Sequence, residues 1–493
     1  MLRFARAFCF STCLIACSTF ALAQITFTQN IVPSGDNGSN GIVAGDFNND
    51  GILDLVTVNG QSLSFYKGLG GGRYATPINQ PLTTNVGQVV AADFSRHGTP
   101  DLAILPLHTG TTAFFGGVDI FTGNNNGTFT KTETLDVGGA AMSIALADFS
   151  GDHLPDLAVS ACSAPLTPPC NSQIFLGLGG GSFSLAATLP DGGGPIVAGD
   201  FNADGHQDFA VVSGSKIALY LGRGNGAFAS PVFANLSDVV SLAVGDFYNN
   251  RIQSLVALTS TPNPAGGFDT QLHTLRFSSG SLLVENPNIL QSNASIAYQQ
   301  VAAGDLSGDF IDDVFLVGVA PQSSGGQIAA SLLGNGNGTF GPPQQIPTFT
   351  DPVFPFIRDL DGDSRHDVAF AWTQFSNTGG APNDGGIEAL HNVNAATNCS
   401  LPPANQLVVH ICAPAQNGQV VGRTFTFKGS GSAPNGIAKR MELWIDGKKV
   451  SQNLEDQLNA TVTLTRGNHI ASFVVVDSFD NHTAGSVSFT AAF

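Results

Sequence analysis

The chain has 493 residues, 59 of them glycine, with 19 Lys plus Arg against 37 Asp plus Glu and a formal net charge of −18. That length exceeds one ordinary core but suits a large repeat domain followed by a small one. The acidic balance without a basic patch excludes a nucleic-acid surface, and the abundance of Gly, Asn, Asp, Thr, Ser, Val and Phe over Lys and Met excludes a helical protein in favour of strands joined by tight turns.

At the N-terminus, Arg3 and Arg6 form a positive n-region, residues 7–20 are mostly apolar, and Ala21-Leu22-Ala23 is an A-x-A cleavage site. This predicts a signal peptide over 1–23 and a secreted or cell-surface protein. Two alternatives stay open: an uncleaved membrane helix, for which the apolar run is short, and a lipobox at Leu14–Cys17 with a lipid anchor at Cys17. No other stretch approaches the ~20 apolar residues of a membrane span. Removal of the signal leaves four of the seven cysteines, and their spacing favours Cys162–Cys170 and Cys399–Cys412 disulfides.

From residue 42 onward one pattern recurs seven times. An apolar run such as Ile42–Ala44 leads into a nine-residue acidic loop, and a second run such as Leu53–Val58 leads out; both are too short for helices and read as strands. The lead aspartates are Asp46, Asp93, Asp148, Asp200, Asp246, Asp305 and Asp359, spaced by 47, 55, 52, 46, 59 and 54 residues. That period fits a propeller blade with variable loops.

A Gly-rich turn closed by an aromatic follows in five units, at Gly68–Tyr74, Gly123–Phe129, Gly177–Phe183, Gly222–Phe228 and Gly334–Phe340. Such runs supply the positive φ of hairpin turns, and the aromatic is placed between neighbouring blades. Two hairpins per unit make four strands, so seven units predict seven blades, with six or eight as alternatives. The seventh unit ends on Ile387–Val393 without the Gly-rich partner, and Ile25–Thr28 resembles the missing strand. The N-terminal strand is therefore predicted to complete the last blade and leave the ring no open edge.

The acidic loop has the chemistry of a metal site. In the first, Asp46, Asn48 and Asp50 place oxygens at positions 1, 3 and 5, Ile52 offers a carbonyl at 7, and Asp54 a carboxylate at 9. Calcium takes roughly six to eight hard oxygens, which a curled loop can bring to one point. Four more loops keep the pattern: Asp148, Ser150, Asp152 and Asp156; Asp200, Asn202, Asp204 and Asp208; Asp305, Ser307, Asp309 and Asp313; and Asp359, Asp361, Asp363 and Asp367. Two depart. The second has His97 at position 5, and the fifth has Tyr248, Asn250 and Ser254, leaving Asp246 alone charged. About five Ca2+ sites, mainly structural, are expected, since clustered carboxylates are costly without a cation.

The motif D-x-[DN]-x-D-G-x-x-D is complete at Asp46–Asp54 and Asp200–Asp208, and Phe340-Gly341-Pro342-Pro343, with Phe228–Pro231 less closely, adds an F-G-x-P segment. Together these residues resemble the FG-GAP/VCBS repeat family, which includes the N-terminal propeller of integrin α subunits, over residues 24–394. The resemblance implies a seven-bladed propeller, loop-bound calcium and extracellular recognition. The second and fifth units depart from it, and it names no ligand.

A linker over 395–404 carries Cys399 and Pro402-Pro403. Residues 405–493 then show short alternating strands with a hairpin signal at Asp446-Gly447, which predicts an immunoglobulin-like sandwich. The Trp444–Lys449 segment is similar to bacterial Ig-like modules, and Trp444 is read as packed on the sandwich rather than as a sugar platform. The predicted fold class is thus all-β, a seven-bladed β-propeller followed by a small Ig-like β-sandwich.

No H-E-x-x-H, G-x-S-x-G or P-loop motif occurs. Carboxylates that could form an acid/base pair are mostly absorbed by the calcium pattern. The favoured function is a non-catalytic binding or adhesion protein for an extracellular carbohydrate or protein ligand. The alternative is a calcium-dependent polysaccharide lyase or hydrolase on a propeller scaffold.

Overall fold

The computed structural model describes residues 25–34, 39–106, 116–164, 167–264, 267–285, 287–294, 297–319, 328–348, 352–362, 365–374, 384–393, 407–413, 419–433, 438–454, 457–477 and 481–492. The expected signal peptide, Cys17, the linker, Cys399 and Asp363 lie outside them. Among the described residues the elements are strands joined by turns, and no helix is long and apolar enough to cross a membrane.

Seven antiparallel sheets share one plan. The first pairs Ser39–Gly45, Asp54–Asn59, Ser62–Tyr66 and Ile78–Pro81 in chain order. Five more repeat it over 86–135, 140–189, 196–235, 239–294 and 297–346, the fifth sheet carrying Asn288–Ala294 as an extra strand. The seventh contains Pro352–Arg358, Asp367–Gln374 and Asp384–Asn392, and its outer place is taken by the N-terminal Phe27–Pro33. That strand runs antiparallel to Asp384–Asn392, with Phe27 opposite Asn392 and Pro33 opposite Gly386. The closing strand thus begins two residues later than Ile25. Ile25 itself is buried against the sixth sheet, where its N–H donates to Gln344 Oε1 at 3.2 Å.

The first strands of the seven sheets surround one axis. Ile42, Gln88, Ser143, Ile196, Ser241, Gln300 and Phe354, one from each, line a single pocket of about 310 Å3. Polar side chains tie each inner strand to the next. Asn40 Nδ2 donates to Val86 O (2.9 Å), Gln88 Oε1 accepts from Ile144 N (3.1 Å), and Ser241 Oγ accepts from Val301 N (3.2 Å). The core is a ring of layers between neighbouring sheets. One joins Phe47, Val56 and Leu63 to Val89, Leu102 and Phe121, and the closing layer joins Ile42, Leu55 and Tyr66 to Ala369, Ala371 and Ile387. Each sheet buries its apolar faces only against its neighbours, as in other repeat architectures. This is a β-propeller.

The second and third strands of the third sheet are joined by the Cys162–Cys170 disulfide across a directly opposed pair. Beyond the propeller, two further sheets of three and five strands enclose a core of Phe427, Met441, Leu443, Leu458, Phe473, Val475 and Phe489. Strand alternation puts Met441, Leu443 and Ile445 into that core and Glu442 and Trp444 on the opposite face. Trp444 is half-buried on that outer face, with its Nε1 donating to Glu442 Oε2 at 2.9 Å.

Candidate functional site: the acidic loops at the sheet joints

Each acidic loop connects the first and second strands of its sheet, and its backbone is the same whether or not its carboxylates survive. Positions 4 and 6 are left-handed in the first loop (Asn49 φ +60°, Gly51 +83°) and equally in the degraded fifth (Asn249 +50°, Arg251 +63°). The position-1 carboxylate stabilises this curl by accepting two backbone N–H groups. Asp46 takes Asp50 N at 3.0 Å and Gly51 N at 2.7 Å, and Asp246 takes Asn250 N at 3.1 Å and Arg251 N at 2.7 Å. Asp148, Asp200 and Asp305 do the same.

The middle positions are also engaged inside the loop. Asp50, Asp152, Asp204 and Asp309 each accept the N–H two residues on, so Ile52 presents its N–H to Asp50 at 3.0 Å. Asn48 Nδ2 donates to Asp54, Asn202 Nδ2 to Asp204, Ser150 Oγ to Asp148 and Ser307 Oγ to Asp305.

The position-9 aspartate links the two sequence signatures of a unit. Asp54 accepts Phe47 N at 3.0 Å from its own loop and Gly68 N at 2.7 Å from the Gly-rich turn. Asp101, Asp156, Asp208 and Asp313 reach Gly123, Gly177, Gly222 and Gly334 in the same way. Glycine is required there by close approach: a Cβ on Gly68 would lie 2.1 Å from Leu53 O, and one on Gly222 2.0 Å from Gln207 O. The seventh unit lacks the turn, and Asn392 N takes the place, donating to Asp367 at 2.8 Å.

The far end of each Gly-rich turn reaches the preceding unit. Gly127 N donates to Phe47 O, Gly181 N to Phe94 O, Gly226 N to Phe149 O and Gly338 N to Phe247 O, at 2.8–3.3 Å. The closing aromatic then meets that same phenylalanine edge to face. Ring centroids are 5.6 Å apart for Phe47–Phe129, 5.2 Å for Phe94–Phe183, 5.6 Å for Phe149–Phe228 and 5.5 Å for Phe247–Phe340. The ring closes with Tyr74 in one layer with Leu360. The acidic loop is thus half of a repeated joint between adjacent sheets.

Electrostatically the joints are under load. Asp54, Asp156, Asp208, Asp313 and Asp367 are 0% exposed. Burial, aided by the charges of their own loops, pushes Asp54, Asp156 and Asp208 up to about 7 and outweighs their backbone donors. Burial also raises Asp305 to about 6 and lifts Asp46, Asp148 and Asp361. In the first loop a cation partly offsets this charge, Lys67 Nζ lying 2.9 Å from Asp50.

Among the described residues, three ligating side chains bring atoms within 4.8 Å of one another in two places, Asp93–His97–Asp101 and Asp361–Asp367–His391. The first is the second loop, where His97 Nδ1 lies 3.3 Å from Asp93 Oδ1. The second involves a residue the sequence did not single out. His391 lies on the last strand with Nδ1 3.4 Å from Asp367 and 3.9 Å from Asp361. Burial opposes its charge, but those two carboxylates outweigh it and raise its pKa. The other intact loops distribute their carboxylates along the curled backbone.

Fold and joints together define a propeller built from acidic-loop repeats. Residues 46–104, 110–159 and 200–257 match the FG-GAP-like repeat family. No curated relative matches. Among solved structures, a fungal alcohol oxidase of the AA5 family in complex with copper is 10% identical, with 94% of this chain covering 99% of that one at a TM-score of 0.50, a likeness of fold alone. An Agrocybe aegerita lectin that recognises non-reducing terminal N-acetylglucosamine is 16% identical over 65% of this chain and 80% of that one (TM-score 0.42). The Clostridium thermocellum CbhA fibronectin(III)-like modules are 22% identical over 17% of this chain and 96% of theirs (TM-score 0.16).

Proposed function

We propose that this chain is a secreted, calcium-stiffened propeller of seven blades with a C-terminal Ig-like module, acting as a non-catalytic binding protein for extracellular polysaccharide or a surface protein. The observation that carries this is where the carboxylates sit. In the intact loops, the position-9 carboxylates are buried and built into the joint that locks one sheet to the next, and those at position 1 are buried too, except for the half-buried Asp200. Their donor set of Asp, Asn and Ser oxygens suits a hard divalent cation, and their unrelieved repulsion would be quenched by one. Asp46, Asp148, Asp200, Asp305 and Asp359, with the partners of each in its loop, would hold calcium. The ion would supply charge neutralisation at the joint.

Export is supported by the signal-type N-terminus and by the Cys162–Cys170 disulfide, which fits an oxidising compartment. The same carboxyls weigh against the hydrolase or lyase alternative. The groups with pKa near 7, Asp54, Asp156 and Asp208, are 0% exposed, where no polymer can reach them. The test is a glycan array combined with a turnover assay on the same polymers. Retention without product is the expected outcome, and product release would overturn the non-catalytic reading. A melt with and without EGTA checks the metal: an unchanged melting temperature would remove calcium from the proposal.

A further inference from the structure

The C-terminal sandwich meets the propeller beside its fourth and fifth acidic loops, and a cleft of about 820 Å3 lies between them. The fifth loop has given up its carboxylates at positions 5 and 9, and at position 6, where the first, second and fourth loops have glycine, it carries Arg251. Arg251 holds the left-handed φ of +63° that glycine adopts without strain. Its guanidinium leaves the loop and reaches the sandwich, Nη2 donating to Ser451 Oγ at 3.0 Å. Among the described residues no carboxylate pairs with it.

On the opposite wall, Arg440 and Lys449 share the single carboxylate of Glu442 at 2.9 and 3.2 Å. Burial pushes the Glu442 carboxyl up, but these cations and the Trp444 N–H, 2.9 Å away, outweigh it and hold its pKa below the ordinary value. Trp444 stands beside them on the outer face of its strand and lines the cleft. A chain with 19 cations and a net charge of −18 thus brings three of them to one cavity. The acids facing them, Asp200 and Asp204, belong to a loop that calcium would neutralise.

We propose that this cleft binds an acidic polysaccharide, with Arg251 and Lys449 receiving uronate carboxylates and Trp444 stacking on a sugar face. The proposal rests on the carbohydrate-binding reading of the chain and names its substrate class and its place. A guanidinium held by a neutral hydroxyl keeps its charge for a ligand carboxylate, which it matches in geometry. The indole offers a flat apolar surface with its N–H already satisfied. The acidic surface elsewhere repels an anionic polymer, which confines binding to this cleft. Without calcium, Asp200 and Asp204 add repulsion inside it, so binding depends on calcium.

The test uses the full chain in calcium, titrated with oligogalacturonate, oligoalginate and hyaluronan fragments and with neutral cello-oligosaccharide, by calorimetry and tryptophan fluorescence. Of the two tryptophans, Trp372 is buried in the seventh sheet, so a change on binding reports Trp444. An acidic oligosaccharide is expected to bind and shift the emission. Arg251→Gly is expected to weaken it by at least about tenfold while leaving the melting temperature unchanged or higher, because glycine suits that φ. Lys449→Gln, on an exposed side chain, is a second variant with the same expected direction. Wild-type affinity in both variants overturns the proposal. Binding of the neutral oligosaccharide alone also overturns it but leaves the carbohydrate reading standing. Binding of no glycan overturns both.

Discussion

Asp54 serves two joints at once, and the consequences can be measured. Its carboxylate accepts one N–H from its own loop and one from the Gly-rich turn, with no exposure to water. Asp54→Ala leaves both donors buried and unpaired and should cost about 2–6 kcal/mol in EGTA, since each orphaned group costs about 1–3. Asp54→Asn keeps one accepting oxygen and should cost less. Chemical denaturation of the two variants checks the order. The raised carboxyls also fix a pH dependence. Burial holds Asp54, Asp156 and Asp208 at about 7 in the folded chain, above their ordinary value of 3.8. Between those values the metal-free folded state keeps protons that the unfolded chain releases, so its stability falls as pH rises through the window. In EGTA the protein should therefore melt at a higher temperature at pH 5 than at pH 8. Calcium should restore more at pH 8, where it replaces absent protons. A calcium-free melting temperature that rises from pH 5 to pH 8 would contradict this assignment.

At the level of elements, the unit that repeats is the joint, and it spans two sheets. The acidic loop of one sheet supplies a carbonyl and a phenylalanine, and the Gly-rich turn of the next supplies an N–H and an aromatic. Both signatures were legible in the sequence because each is local: apolar runs bounding Asp-Phe, and glycines closed by Phe. Their coupling was not, because Gly127 meets Phe47 only after the two sheets pack side by side. The same limit hid His391 and Asn392, whose strand carries no glycine signature and whose role follows from its place beside Asp367. Trp444 is a different case. The alternation Met441-Glu442-Leu443-Trp444-Ile445 is itself local, and it places Trp444 half-buried on the face opposite the core. The closing strand gives a prediction of its own. Phe27–Pro33 supplies the outer edge of the seventh sheet, and Ile25 anchors it to the sixth. Deleting residues 25–33 should expose the edge of Asp384–Asn392 and lower the melting temperature of the propeller. The expected signature is new proteolytic cleavage in the seventh sheet before any other. Protection equal to the intact chain would mean that the ring holds without this strand.

The whole molecule divides its charge unequally, and that should show in how it unfolds. The propeller contains all seven acidic loops, and its apolar layers run from sheet to sheet around the ring, so loss of one layer exposes the next. The C-terminal sandwich has a separate core, and its buried Glu442 is already paired with Arg440 and Lys449. The hydrogen bond from Arg251 to Ser451 crosses between the two, and a single such bond is worth about 1 kcal/mol, too little to force common unfolding. Calorimetry should therefore resolve two transitions. The larger belongs to the propeller and should rise with calcium according to mass action on the folded state. The smaller, from the sandwich, should stay within about a degree or two of its calcium-free temperature, the small shift reflecting only the shared contact. Arg251→Gly should leave both transitions in place and make the smaller one independent of calcium. A single calcium-sensitive transition that includes the sandwich would show that the two parts fold as one unit. The cleft between them would then be a fixed feature of that unit, and its affinity for a ligand would not depend on how the parts dock.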